Sequence, residues 1–242
     1  MQASQVKASH GWGWIVGGFE LFKQSPVIWI ALFFIYLLIA MVLTMIPLAG
    51  AIVLNLLAPV FMAGFMLGCK AIEEGDELEI NHLFAGFKQN TSQLVTVGGI
   101  YLAGVIVIVG LVFLMTGHAG MEGLMDSHGH AAADASGELL LSLLIALAVM
   151  LPLVMAYWFA PALVVLHDMK ALDAMKQSFF ACLHNILPFL VYSLLSGLLM
   201  LLAMIPLGLG LLVMIPTMTA SLYVSYKDIF NPPPAGGGEI AL

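Results

Sequence analysis

The chain has 242 residues, of which 62% are hydrophobic and 9% charged. That balance excludes a soluble globular domain, whose surface needs far more charge. The formal net charge of -7 is local in origin, because Glu73, Glu74, Asp76, Glu77 and Glu79 form one acidic run; with no Arg and no basic patch, a nucleic-acid-binding protein is excluded too.

No cleavable signal is evident at the start. The first apolar run is too long for a signal core and lacks a small-x-small cleavage site, so it is expected to remain as an anchor. Trp12, Ile15, Phe19 and Phe22 precede it at helical spacing and define an amphipathic helix, expected to lie in the membrane interface with its apolar face in lipid. Six apolar runs follow: Val27 to Ile46, Ala49 to Cys69, Leu94 to Met115, Leu139 to Leu166, Ile186 to Ile205 and Leu207 to Tyr226. None contains an ionisable Asp, Glu, Lys, Arg or His, and each reaches the roughly 20 residues that a helix needs to cross a bilayer.

Between the second and third runs, the acidic stretch reads as a solvated loop. Ile80, Leu83, Phe84 and Phe87 then repeat the amphipathic spacing, as do Leu172, Met175, Phe179 and Cys182 before the fifth run. The repetition goes further. Met45-Ile46-Pro47-Leu48 ends the first run and Met204-Ile205-Pro206-Leu207 ends the fifth. Pro59 lies eleven residues before Lys70, and Pro216 eleven residues before Lys227. Lys23-Gln24-Ser25, Lys88-Gln89-Asn90 and Lys176-Gln177-Ser178 recur before the odd-numbered runs, although in the third copy Asn185 is the residue beside the run.

The fold class read from this is all-α: a polytopic membrane protein of six transmembrane helices arranged as three parallel hairpins, each preceded by an interfacial amphipathic helix. The repeat units cover about 11–72, 80–170 and 170–230 within one domain, 1–230, and residues 231–242, rich in Pro and Gly, read as a disordered cytoplasmic tail. Pro59, Pro152, Pro161 and Pro216 lie inside runs and are expected to kink them. Gly64 with Gly68, and Ser193 with Gly197, are small-residue pairs read as internal packing contacts.

All seven lysines fall before the first run, in the even-numbered connections or after the last run. Positive charge marks the cytoplasmic face, so both termini are expected there and the 117–138 loop outside. With no eukaryotic targeting segment, the expected location is a bacterial inner membrane. Cys69 and Cys182 fall at the cytoplasmic boundary and are expected as reduced, apolar packing residues.

Ligand-type side chains concentrate in the 117–138 loop. His118, Glu122 and Asp126 would share a helical face, and His128 with His130 would form a short chelating pair suited to copper, nickel or zinc. A Gly- and Ala-rich loop must lose conformational entropy to chelate, and the preferred reading is that it holds no physiological metal. Catalytic, cofactor and metal sites are accordingly expected to be none. No nucleophile elbow, Walker loop, dinucleotide fingerprint or H-E-x-x-H is present.

The segment from Ala174-Met175-Lys-Gln-Ser-Phe-Phe through Asn185, the Pro-centred hairpin after it and Tyr226-Lys227-Asp228-Ile229-Phe230 resemble a family of uncharacterised bacterial inner-membrane proteins with six spans. Phe22-Lys-Gln-Ser-Pro26 and Leu57-Ala58-Pro59 through Gly68-Cys69-Lys70 carry the same resemblance. More distantly, the repeated unit is similar to the membrane domain of glycerophosphodiester phosphodiesterases, whose catalytic acid and His motifs this chain lacks. The resemblance implies topology and no activity. The leading expectation is a non-catalytic integral inner-membrane protein acting through lipid or protein contacts, with membrane lipids and a membrane-protein partner or a second copy as partners, and no nucleic acid. A second is a small pore or carrier for a neutral or apolar solute, with a path past Asn55, Thr217, Thr219 and Ser221. A membrane-embedded enzyme is the third.

Overall fold

A backbone that leaves water must satisfy its own hydrogen bonds, and the long apolar runs do so as α-helices. The computed structural model describes residues 3–125 and 131–230, and for 115–140 nothing beyond the backbone. The helices are α1 (His10–Gln24), α2 (Pro26–Thr44), α3 (Ala49–Glu74), a 3-10 helix (Ile80–Phe87), α4 (Thr91–Met125), α5 (Ala131–Trp158), α6 (Ala160–His167), α7 (Ala171–His184), α8 (Ile186–Met204) and α9 (Leu211–Phe230). Among the described residues, five stretches are long and apolar enough to cross a membrane: Pro26–Thr44, Ala49–Glu74, Thr91–Leu114, Leu141–His167 and Ile186–Met204. The expected sixth, in α9, is not one of them. Thr217, Thr219, Ser221, Ser225, Lys227 and Asp228 dilute its apolar content.

The repeated Met-Ile-Pro-Leu produces a repeated backbone. Leu48 between α2 and α3 and Leu207 between α8 and α9 both take positive φ, 62° and 54°, directly after the proline that ends the preceding run. α3 sits centrally: 50% of its apolar window is buried, against 11% for α2. It touches α2, α4, α6 and α9.

Three docking contacts organise the rest. α1 lies on α9, the 3-10 helix on α3, and α7 on α5. In each case one small residue meets one helical turn of the partner. A Cβ on Gly18 would stand 2.5 Å from the Thr217 carbonyl oxygen and 2.6 Å from the Ser221 nitrogen, and one on Gly86 would stand 2.1 Å from the Val60 carbonyl oxygen. Only glycine permits so close a backbone approach. Those turns directly follow Pro216 and Pro59. On α5 the equivalent place is taken by the hydroxyl of Ser178, which accepts from the Phe159 amide at 2.9 Å and donates to the Met155 carbonyl at 2.6 Å.

That insertion changes the fourth run. The expected continuous span, Leu139 to Leu166, is interrupted at Phe159, between α5 and α6. Pro161 supplies no amide to the ladder, and Ser178 occupies the gap where the Phe159 amide would otherwise meet Met155. Pro59, Pro152 and Pro216 remain within unbroken helices. The 117–138 connection also differs from a simple loop. The helical backbone of α4 continues to Met125 and that of α5 begins at Ala131, an alanine-rich start that favours helix.

The amphipathic stripes do not all face outward. Ile15 and Phe22 are buried in the core while Trp12 and Phe19 are exposed; Leu83 is buried while Ile80, Phe84 and Phe87 are exposed. In the third stripe, Met175 and Cys182 are buried and Leu172 is exposed. The expected lipid-facing stripe therefore divides, because α1 and α7 are docked on neighbouring helices and turn half their apolar residues into the protein. The middle element is also a 3-10 helix, its start closed by reciprocal capping between Glu79 and His82.

Gly64 and Gly68 face inward as expected: a Cβ on Gly64 would meet the His82 and Leu83 carbonyls, and one on Gly68 the Leu78 side chain. The Ser193–Gly197 pair does not, since Gly197 has open space around it.

Candidate functional site

Helix ends expose unpaired backbone groups and collect polar side chains, and in this fold many of those ends meet in one layer. The C-terminal ends of α3, α6 and α9 and the N-terminal ends of α1, α4 and α7 come together where the lysines lie. Asp228, near the end of α9, is almost fully buried. Its Oδ2 accepts from the Trp14 indole at 2.7 Å and meets His10 Nδ1 at 2.8 Å, fastening α9 to the first turns of α1. Glu73 of α3 accepts from the Tyr223 hydroxyl at 2.6 Å and pairs with Lys227. His167, closing α6, shares a hydrogen bond with Tyr226.

Further ties join the middle of the chain. Asn90, held at φ 51°, donates to Asp168 at 2.6 Å and to the Val164 carbonyl at 3.2 Å. Gln93 accepts from the Ala171 amide at 2.8 Å. The segment before α1 is sewn in as well. Asn185, fully buried between α7 and α8, accepts from the Val6 amide and donates to the Ser4 carbonyl, while the Ser4 amide donates to Ile229. The segment before α1, the end of α9 and the α7–α8 junction thus form one knot.

Beside this knot lies a half-open groove of about 680 Å³. Met169, Phe180 and Phe230 give it apolar walls. Asp173, Lys176, Gln177 and His184, all from α7, line the rest. Gln177 Oε1 is buried without a hydrogen-bond partner. Asp173 and Lys176 are one turn apart yet form no ion pair with each other or with other described residues. Cys182, behind the groove on α7, has its thiol pushed up to about 12 by burial, an effect that its hydrogen bond with Ser178 partly opposes.

The acidic run is partly structural. Glu73 is the tie to α9, Glu74 pairs with Lys70 at 3.7 Å, and Glu79 caps the 3-10 helix. The polar residues named for a solute path are each occupied by their own helix. Asn55 donates to the Ala51 carbonyl, Thr217 to Val213, Thr219 to Ile215 and Ser221 to Met218. Asn55 thus makes an intrahelical bond rather than the interhelical one common for a lone Asn in a span. His118, His128 and His130, with Glu122, Asp126, Asp134 and Glu138, lie outside the described side chains, as does the tail 231–242. Among the described residues no group of three His, Cys, Asp or Glu side chains forms a metal cage.

Sequence reasoning overlooked Asp228, Trp14, His10 and Ser178 as the ties. A signal existed for the first two: Asp228 is an acid directly after an apolar run, and Trp14 stands between Gly11 and Gly18 on a face too small to be a lipid stripe.

The chain is 32% identical to a probable inner membrane protein of Burkholderia thailandensis over 252 aligned positions, covering 96% of this chain and 93% of that protein. No family model matches the chain, and no solved structure matches it.

Proposed function

Because the chain belongs to the family of this Burkholderia thailandensis probable inner membrane protein, we propose that it is a six-span inner-membrane protein, not an enzyme, that acts through lipid or protein contacts. In this reading α2–α3, α4–α5 with α6, and α8–α9 are three hairpins running the same way, and α1, the 3-10 helix and α7 sit at the interface on the lysine side. The likeness of the repeated unit to the membrane domain of glycerophosphodiester phosphodiesterases belongs to the same reading and carries no activity with it. The alternation of the lysines supports cytoplasmic termini. α9 serves as the sixth span despite its polarity, because its Thr and Ser hydroxyls donate to carbonyls of their own helix and so do not face lipid unpaired.

The observation that carries the non-catalytic reading is how the strongest polar groups are used. Asp228, Glu73, Asn185 and Asn90 each join two elements. Groups engaged as ties between helices are not poised to move a proton or bind an ion along a path. The same accounting weighs against the carrier, since Asn55, Thr217, Thr219 and Ser221 are engaged within their helices.

Proteoliposomes containing the purified chain should swell no faster in glycerol or urea than empty vesicles, and faster swelling would make the pore reading correct. A topology reporter fused after Leu242 should be active only in the cytoplasm, and one inserted near Ser127 only outside. Activity of the C-terminal fusion on the outer side would overturn the six-span count.

A further inference from the structure

We propose that the groove beside α7 binds the headgroup of an ethanolamine phospholipid, with Lys176 on the phosphate and Asp173 and His184 on the ammonium. The proposal rests on the reading of this end as the cytoplasmic interface and names one of the lipid contacts that reading invokes. At about 680 Å³, the groove is of the size that holds small molecules or headgroups. It is also half-open, as a site for a lipid whose chains remain in the bilayer has to be.

The charges choose the class of ligand. Lys176 and Asp173 lie three residues apart on α7, a spacing at which an ion pair can close. Here they stay apart along the same groove. A purely anionic headgroup would satisfy Lys176 and be repelled by Asp173. A choline headgroup offers Asp173 no N–H donor. A phosphate linked by two carbons to a primary ammonium complements both side chains at once. His184 contributes in a defined tautomer. Its Nδ1 lies 2.8 Å from the Phe180 carbonyl, which only accepts, so Nδ1 carries a proton and Nε2 of the neutral ring is left to accept from the ammonium. The buried Gln177 Oε1 lacks a donor that an ammonium would supply.

The apolar side of the site is in place for the glycerol and upper chains. Phe180 is 44% exposed at the groove, and Leu183 and Leu187 continue the apolar surface towards α8 at 43% and 66%. That is the amphipathic arrangement expected of an interfacial helix.

The test uses the full chain in nanodiscs of phosphatidylcholine doped with phosphatidylethanolamine or phosphatidylglycerol, with retained lipid read by native mass spectrometry after delipidation. Wild type should retain about one phosphatidylethanolamine in preference to either other lipid. K176Q and D173N should each lower that retention by about fivefold, the scale of a lost charge contact at a partly exposed site. Ala3 also lines the groove, and A3W, which fills it and leaves both charges, should lower retention as much; monodisperse elution establishes that each variant is folded. If D173N leaves phosphatidylethanolamine retention unchanged or raises phosphatidylglycerol above it, the site reads phosphate alone and the proposal is overturned. Retention unchanged in all three variants overturns the groove itself. Both failures are separate from the functional reading, which falls only if the vesicles swell or the reporters invert.

Discussion

α1 on α9 and α7 on α5 are two versions of one contact, and they solve it differently. Gly18 and Ser178 each stand seven residues before the residue that opens the next helix, Ser25 and Asn185. Gly18 has no side chain, so the two backbones meet directly and α9 runs unbroken from Leu211 to Phe230. Ser178 brings a hydroxyl, which enters the ladder of its partner, and the partner breaks at Phe159. A glycine at this position keeps the partner helix intact at the cost of chain entropy in α1, whereas a serine replaces one backbone bond with a side-chain bridge of two. The 3-10 helix on α3 follows the glycine solution through Gly86.

The largest effect should come from closing the glycine contact. Gly18→Val places atoms where Thr217 and Ser221 backbone already stand, and neither can yield as a flexible side chain would. The expected cost is about 3 kcal/mol, the upper end for overpacking. It should appear as a lower unfolding midpoint in detergent and as faster proteolysis of residues 3–25 from the lysine side. A midpoint equal to wild type would mean that α1 is not seated on α9 at Gly18.

Removing the serine bridge should cost less. Ser178→Ala leaves the Phe159 amide and the Met155 carbonyl without their shared partner in a buried place, a loss of about 2 kcal/mol. Amide exchange over 155–163 should quicken while exchange over 213–225 does not. The comparison sharpens with a reciprocal pair. Ser178→Gly should be tolerated better than Gly18→Ser, because only the first leaves no new atom against a partner backbone. The opposite ranking would mean that the two contacts are not equivalent.

Cys182 reports the same docking through chemistry. Its thiol is pushed up to about 12, so at pH 8 the folded protein holds it protonated, and the thiolate that attacks a maleimide is scarce. In the unfolded chain the thiol returns to its ordinary value and reacts. Labelling of the native protein at pH 8 should be slow, and denaturant should release it. In Ser178→Ala the rate should rise by a few-fold, since looser docking of α7 around Met155 and Cys182 readmits water and outweighs the loss of the Ser178 hydrogen bond that holds the thiol down. Rapid native labelling of Cys182 in the wild type would place that residue on a mobile face.

How much of this was readable in the residues depends on whether a pattern had one cause. Apolar length did, and it located helices now seen as α2, α3, α4, α5 with α6, and α8. The paired Met-Ile-Pro-Leu did as well, and its two copies turn alike at Leu48 and Leu207. The amphipathic stripes had two causes. Lipid and protein core both accept apolar side chains, so spacing alone could not tell the exposed Phe19 from the buried Phe22, three residues on. Register had two causes also. Lys176-Gln177-Ser178 matches Lys23-Gln24-Ser25 in letters, but in space Ser178 occupies the place of Gly18, and the helix-opening role of Ser25 passes to Asn185. The groove beside α7 was not legible, because its walls come from residues 3, 169 and 230 as well as from α7, and no local pattern joins them.

The smallest effect concerns a glycine that docks nothing. Gly197 of α8 has open space around the position of its missing Cβ, and Leu194, Leu198 and Leu201 around it are exposed as lipid-facing residues are. Gly197→Ala therefore meets no partner, and it removes the entropy penalty of glycine inside a helix, so stability should rise by about 0.5–1 kcal/mol. The contrast with Gly18→Val is the point of the experiment: the same residue type is required where two backbones touch and dispensable where lipid is the neighbour. Gly197→Leu should be nearly as well tolerated and should leave the mass in detergent unchanged. If instead the leucine variant splits a larger species into a smaller one, then Ser193 and Gly197 pack against a second copy of the chain, and the open space beside Gly197 is an interface between subunits.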